Sequence, residues 1–505
     1  MKKLLFGFFV WMSILMPIAL CGCAGGKADD SSQIVVGIAQ DLEDSLDPHK
    51  AVAAGTKEIL FNVFEGLLKP DHDGNIIPAV ASDYEVLEDG QCYVFTLREG
   101  VMFHNNVPVT AEDVKYSLEK IAGMMGDEPM IPAYSLIDKV EIVSDNTVSV
   151  HLSEPDVDFP AYLAMVNAAI IPKDNANPDA IAIGTGPYKY ESRSVLQNII
   201  LSKNDDYWGD KAYIERVVFN IVPEMDTVVM NLRGGSLDMY EHLTIDQVNQ
   251  LTDQFEILEG TMNLVQALYL NNDVKPFDDI RVRQAMCYAV DVDEMLTLTA
   301  EGKGIHIGSS MFPAFNKYYM PELAQHYTHD IQKAKDLLKE AGYPNGFDME
   351  ITVPSNYQPH INTAEVLVQQ LKEVGINASI KLVEWNTWLN DTYIGRNYQS
   401  TVIGVDASYM TARSLLERFY SSSDVNFVNF SSEEYDNLYE KVIVSTDDNE
   451  KTEIYKRMEE ILTEDAANVY LQDMAEFVAL NKKFTGYEFY PLYVMDMSKI
   501  RPANK

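Results

Sequence analysis

Few residues in this chain stand at a spacing that does chemistry. A serine hydrolase needs its nucleophile on a tight turn between two glycines. The nearest approach, Gly234-Gly235-Ser236-Leu237-Asp238, ends in Asp and lies in a helix-to-strand context. Gly184-Thr185-Gly186 has the small residues of a phosphate cradle. Pro187-Tyr188 follows it, however, and a strand rather than a helix N-terminus comes next, so the run reads as a turn. Of nine histidines only His326 and His329 are close, and they precede Asp330, a helix cap, which places them in a solvated loop rather than around zinc. There is no HExxH pair and no P-loop. No catalytic residue, metal or cofactor is expected, and an extracellular hydrolase stays only as a remote alternative, for want of a paired nucleophile and base.

Whatever binds must be positioned by a mixed α/β body. Ile34–Ala39, Tyr93–Leu97, Val140–Val143, Thr147–Leu152 and Val217–Ile221 read as strands, with Asp145-Asn146 turning a hairpin. Ala111–Ile121 reads as a helix capped by Thr110, with Asp113 in capping-box position. Asp330–Ala341 and Ile361–Val374 carry apolar stripes and stop at Gly342 and Gly375, the second leading into an alternating strand at 376–382. Glu433–Val444 and Glu450–Leu462 are further amphipathic helices. At 505 residues the chain is long for one domain, yet it has no internal repeat and no flexible linker in its body, so its domains must be interleaved.

Charge and cysteines narrow the setting. The net charge of −38 repels nucleic-acid phosphates and anionic lipid, which excludes nucleic acid as a partner. Lys2 and Lys3 precede an uncharged run from Leu4 to Leu20, as in a secretory signal or an anchoring helix, which length alone does not separate. The run ends in Leu20-Cys21-Gly22-Cys23, which resembles the bacterial lipobox and implies cleavage after residue 22 with lipidation of Cys23. Small polar residues up to Gln33 then form a tether. Cys92 and Cys287 have neither CxxC nor metal-ligand spacing and are read as free buried thiols.

Tyr93–Ser117, reading YVFTLREGVMFHNNVPVTAEDVKYS, resembles a signature of the extracellular solute-binding proteins of the dipeptide/oligopeptide/nickel class (family 5), which feed ABC importers. Asn105-Asn106 stands where that family usually has an Asp-Gly turn. Similar segments follow in the family's order: GTGPY at 184–188, LRGGSLD at 232–238, FDDIRVRQAMCYAVD at 277–291, the 330–343 helix ending in AGY, and Val383-Glu384-Trp385. Arg281 and Arg283 within them read as helix anchors.

The resemblance implies a two-lobed periplasmic-binding-protein-like α/β fold of type II, with a third subdomain inserted and hinge closure over ligand. Residues 1–22 would be the signal peptide and 23–33 the tether. Lobe I would comprise 34–77, 181–268 and 471–505, with the insertion at 78–180 and lobe II at 269–470. Crossings would fall near Ala267–Leu270 and Leu471–Ala479. Short peptides are the implied cargo and an ABC permease the implied partner, for a monomer held by lipid outside the cell membrane or in a periplasm. A binder of nickel, another metal-chelate or a non-peptide solute is the alternative on the same scaffold.

In peptide binders of the family an Asp of the second lobe pairs with the peptide α-ammonium, and the matching position is Asp406. The sequence beyond it, Ala407-Ser408-Tyr409-Met410, departs from the aromatic and Pro-containing turn usual in the family. Arg413 is placed either on a ligand carboxylate or in an i,i+4 bridge to Glu417. Trp385, Trp388 and Tyr409 complete the expected ligand-binding set as cleft-wall aromatics.

Overall fold

The computed structural model describes residues 31–503, apart from Asp44, Thr252, Asn356, Ser408 and Thr446. The segments expected to form the signal peptide and most of the tether, with Cys23, lie outside the described residues. Among the described residues no helix is long and apolar enough to cross a membrane.

Three sheets organise the body. One has seven strands, in the spatial order Phe255–Thr261, Ala475–Asn481, Met239–Tyr240, Gln33–Ile38, Arg216–Ile221, Asn198–Lys203 and Tyr188–Ser194. A second has six, in the order Ile305–His306, Asn468–Asp473, Leu264–Leu270, Ser400–Asp406, Asp348–Pro354 and Asn377–Val383. The insertion adds a four-stranded antiparallel sheet from Ala81–Leu87, Cys92–Leu97, Thr147–Leu152 and Ile137–Ser144. The chain is therefore two-lobed, with the first lobe assembled from three separate stretches of sequence.

Each lobe closes its own core. Along Leu264–Leu270, Val265, Ala267 and Tyr269 pack into one cluster while Leu268 and Leu270 pack into another. Alternate side chains leave a strand on opposite faces, so this sheet is covered on both sides. In the insertion, Thr110 Oγ1 accepts from the Asp113 amide and Asp113 Oδ2 accepts from the Thr110 amide, the capping box that starts the helix Ala111–Ile121. The turn before it survives the loss of Gly because Asn106 holds a left-handed φ of 63°. At Gly184 a Cβ would lie 2.0 Å from the Val63 carbonyl oxygen, so the Gly-Thr-Gly turn is fixed by close packing. Arg283 is buried and donates to the carbonyls of Phe277, Asp465 and Ala466, while Arg281 pairs with Asp279.

The crossings between the two large sheets are short. Phe255–Thr261 continues through Met262-Asn263 into Leu264–Leu270, and Asn468–Asp473 continues through Met474 into Ala475–Asn481. The Met262 amide donates to the Met474 carbonyl at 2.8 Å, so the two crossings are bonded side by side. The first crossing thus lies earlier than 267–270, and residues 264–268 and 471–473 belong to the second lobe's sheet. Continuous apolar patterning hides the switch; its marker is Asn263, at a left-handed φ of 55°.

One buried acid in the second lobe makes stability depend on pH. Glu459 is fully buried in the helix Asp448–Glu464; one carboxylate oxygen accepts from Ser309 Oγ at 2.7 Å and the other has no partner among the described residues. Burial pushes its pKa up to about 8, so the folded state keeps a proton that the unfolded chain releases. The stabilisation tied to that proton is complete below the ordinary glutamate value and is lost as pH rises through about 8. Glu459→Gln is expected to flatten this decline in a series of melting curves from pH 5 to 9.

Candidate functional site

The cleft between the lobes begins where the hinge strands cross. Asp406 is the last residue of Ser400–Asp406 and pairs in the ladder with Leu264, the first residue of the second-lobe hinge strand. Pairing with the hinge therefore brings its carboxylate to the mouth of the crossing. Tyr493, from the C-terminal return, bonds to Asp406, and burial followed by the Asp406 charge holds its phenol above the ordinary range. Lys57, on the helix Ala54–Leu60, also feels Asp406, although burial outweighs that pull and lowers its pKa.

Asp406 and Ala407 share a cavity of about 70 Å³ with first-lobe residues Glu58, Glu241, His242 and Glu476. Its remaining wall includes Asn263 and the aromatic return Tyr487, Phe489, Tyr490 and Tyr493. That volume holds a few waters or a small charged head group. Glu241 and His242 follow the strand Met239–Tyr240, which runs parallel to Gln33–Ile38, so they project beyond a carboxyl end of the sheet. Glu476 Oε1 accepts the His242 amide at 2.6 Å, and Oε2 lies 2.8 Å from His242 Nδ1. Tyr487 Oη donates to Glu241 Oε1 at 2.8 Å. Burial, then the Glu58 charge, pushes the Glu241 pKa up to about 8. Four carboxyl groups facing one imidazole favour a cationic or amine-bearing occupant.

A second cavity, of about 550 Å³, lies between the insertion and the second lobe. Tyr409 and Arg413 line it from the second lobe, Asp156 and Tyr162 from the insertion. Tyr162 and Tyr409 meet edge to face at 4.9 Å. Arg413 Nη1 donates to Asp156 Oδ2 at 3.3 Å, and Lys451 Nζ to Asp158 Oδ1 at 3.0 Å. The carboxylate partner of Arg413 is thus Asp156 of the insertion and not Glu417. An i,i+4 rule sees only the local helix, whereas this partner lies 257 positions away. Because Arg413 is partly open to solvent, Asp156→Asn is expected to shift the closed-to-open balance by about 1–2 kcal/mol. Small-angle scattering of the ligand-free protein should then show a larger radius of gyration.

The two tryptophans separate. Trp388 is 3% exposed, donates from Nε1 to Thr401 Oγ1 at 2.9 Å, and belongs to the second-lobe core. The expectation that it walls the cleft is corrected: it opens a turn of π-helix, Trp388–Ile394, that points it inward. Trp385 is half-buried, stacks on Trp388 at 5.3 Å and meets Tyr357 edge to face, and it lies in the wall of neither cavity. Sequence reasoning missed Lys57, Glu58, Glu241, His242, Glu476 and the aromatic return. The available signal was Tyr240-Glu241-His242, a charged step at a strand end, and the run YEFYPLY at 487–493.

Comparison with known proteins places this geometry in a family. The sequence model described as bacterial extracellular solute-binding proteins, family 5 Middle, matches residues 75–427. The dipeptide-binding protein of Escherichia coli (strain K12) is 27% identical over 83% of this chain and 84% of its own length. Heme-binding protein A of Haemophilus influenzae is 27% identical over 82% of each chain. Among solved structures, the periplasmic binding protein DppA from Helicobacter pylori, in complex with the peptide STSA, superposes with a TM-score of 0.76 at 27% identity, covering 93% of this chain and 98% of that one. The chain belongs to family 5 of the bacterial extracellular solute-binding proteins, and it is a binding protein rather than an enzyme.

Proposed function

We propose that this family 5 protein captures short peptides outside the membrane and delivers them to an ABC permease while tethered by lipid on Cys23. The observation that carries the reading is Asp406, set beside the hinge and facing a small cavity rich in carboxylates. An ammonium there is paired with Asp406 only when the lobes are together, so ligand stabilises the closed state. Relatives of equal identity are named for dipeptide and for heme, so support for peptide cargo comes from this site more than from the scaffold. Tyr409 and Arg413, in the wall of the larger cavity, would meet the rest of the peptide.

Calorimetry of the mature body with alanine peptides of two to five residues tests the cargo. Saturable 1:1 binding of free-amine peptides is expected, and no response to any length would refute it. For the anchor, Cys23→Ala is expected to release the protein from the membrane fraction without changing peptide affinity.

A further inference from the structure

We infer that Asp158 of the insertion and Lys451 of the second lobe are positioning residues for cargo capture, a clasp that raises affinity without touching cargo by favouring the closed arrangement of the lobes. Lys451 Nζ donates to Asp158 Oδ1 at 3.0 Å, and the two side chains are 10% and 17% exposed. Neither residue lines the cavity that holds Asp406 or the larger one beside Arg413. The pair lies outside both candidate sites, yet it spans the insertion and the second lobe, which separate when the hinge opens.

The acid is held in place from inside the insertion. Asp156 Oδ1 accepts from the Asp158 amide at 2.9 Å, the Asp156 amide donates to the Gly90 carbonyl, and Tyr93 Oη donates to the Asp156 carbonyl. The insertion is in turn fixed to the first lobe, where Asn167 Nδ2 donates to the Ala51 carbonyl at 2.7 Å and Lys120 pairs with the buried Asp47 at 2.5 Å. Asp158 therefore moves with the first lobe. Lys451 stands in the first turn of the helix Asp448–Glu464, the end at which the helix dipole opposes a cation. Its own lobe gives this buried ammonium no counter-ion: among the described residues Asp158 is its one carboxylate partner within 4.0 Å. When the lobes part, both charges return to water. When they close with one partner neutralised, the remaining charge is enclosed without compensation, so the penalty falls on closure alone.

The test compares Lys451→Met, Asp158→Asn and the variant carrying both. Small-angle scattering of the ligand-free proteins reads the clasp without cargo, so its outcome does not depend on what the cleft binds. A larger radius of gyration is expected in each single variant, with a return toward the unsubstituted value in the double one. With di- to pentaalanine as probes, calorimetry and stopped-flow mixing should show each single variant weakened by about 3- to 10-fold. The loss should be the same factor at every length and should come from faster release at little-changed capture. The double variant should lose less than the product of the two single losses, the signature of a coupled pair. Melting curves establish that each variant is folded; a defect confined to the helix would move the melting temperature and leave scattering and release rate where they were. An unchanged radius of gyration in both single variants overturns the proposal. So do single losses that simply multiply in the double variant, or a loss confined to one peptide length, which would put Lys451 on the cargo.

Discussion

Asp406→Asn is expected to weaken binding of free-amine dipeptides by roughly 100- to 1,000-fold, the equivalent of about 3–4 kcal/mol. The substitution keeps the size of the side chain and a group able to accept from Tyr493, so the strand end and its pairing with Leu264 should persist. What is removed is the charge. An ammonium enclosed between the lobes has given up water, and without an anion it is left uncompensated. N-acetyl peptides bring no such charge, so their affinity, weak at the outset, should change by only a few-fold. Calorimetry on matched acetylated and free peptides separates the outcomes: equal loss for both would make Asp406 a shaper of the loop at 407–411.

Trp388→Ala should cost about 3–5 kcal/mol of stability while leaving peptide affinity within a few-fold. The ring is buried in the second-lobe core, stacked between Trp385 and Tyr393, with its indole N–H used by Thr401. Truncation leaves a cavity and takes a donor from the Thr401 hydroxyl, which keeps its own bond to the Thr352 carbonyl, on the strand that ends at Asp406. Urea unfolding and calorimetry on the same preparation check both halves. A large loss of affinity in a protein of normal stability would return Trp388 to the cleft. Trp385→Ala, at a half-buried site, should cost less than its neighbour.

The elements were readable wherever local rules decide them. Thr110, Asp113 and the stripe below them set a helix with the bounds predicted, and Asp330 does the same for Ile331–Glu340. The Asp145-Asn146 hairpin joins strands that end and begin beside it. The absence of linkers has its counterpart in two short links between the large sheets, at Met262-Asn263 and Met474, where the sequence reading put crossings near Ala267–Leu270 and Leu471–Ala479. The site was less legible because its members meet through topology. Glu58, Glu241, Glu476 and Asp406 come from four distant stretches, and each alone reads as a solvated acid. Arg413 shows the same limit, since its partner Asp156 sits in another subdomain. Trp388 was misplaced because the short helical run WNTWLNDTYI at 385–394, with aromatics among Asn, Asp and Thr, carries no sign of which ring turns inward.

Cys92 and Cys287 are both buried and unpaired, and burial pushes the Cys287 thiol up to about 12. Folding of the body therefore requires no oxidant, and its native thiols should resist alkylating dyes while it stays folded. A pair of introduced surface cysteines, one on the insertion and one beside Arg413, would consequently carry fluorophores without background labelling of the body. The wild-type core thus makes the protein ready for use as an optical reporter of its own opening and closing.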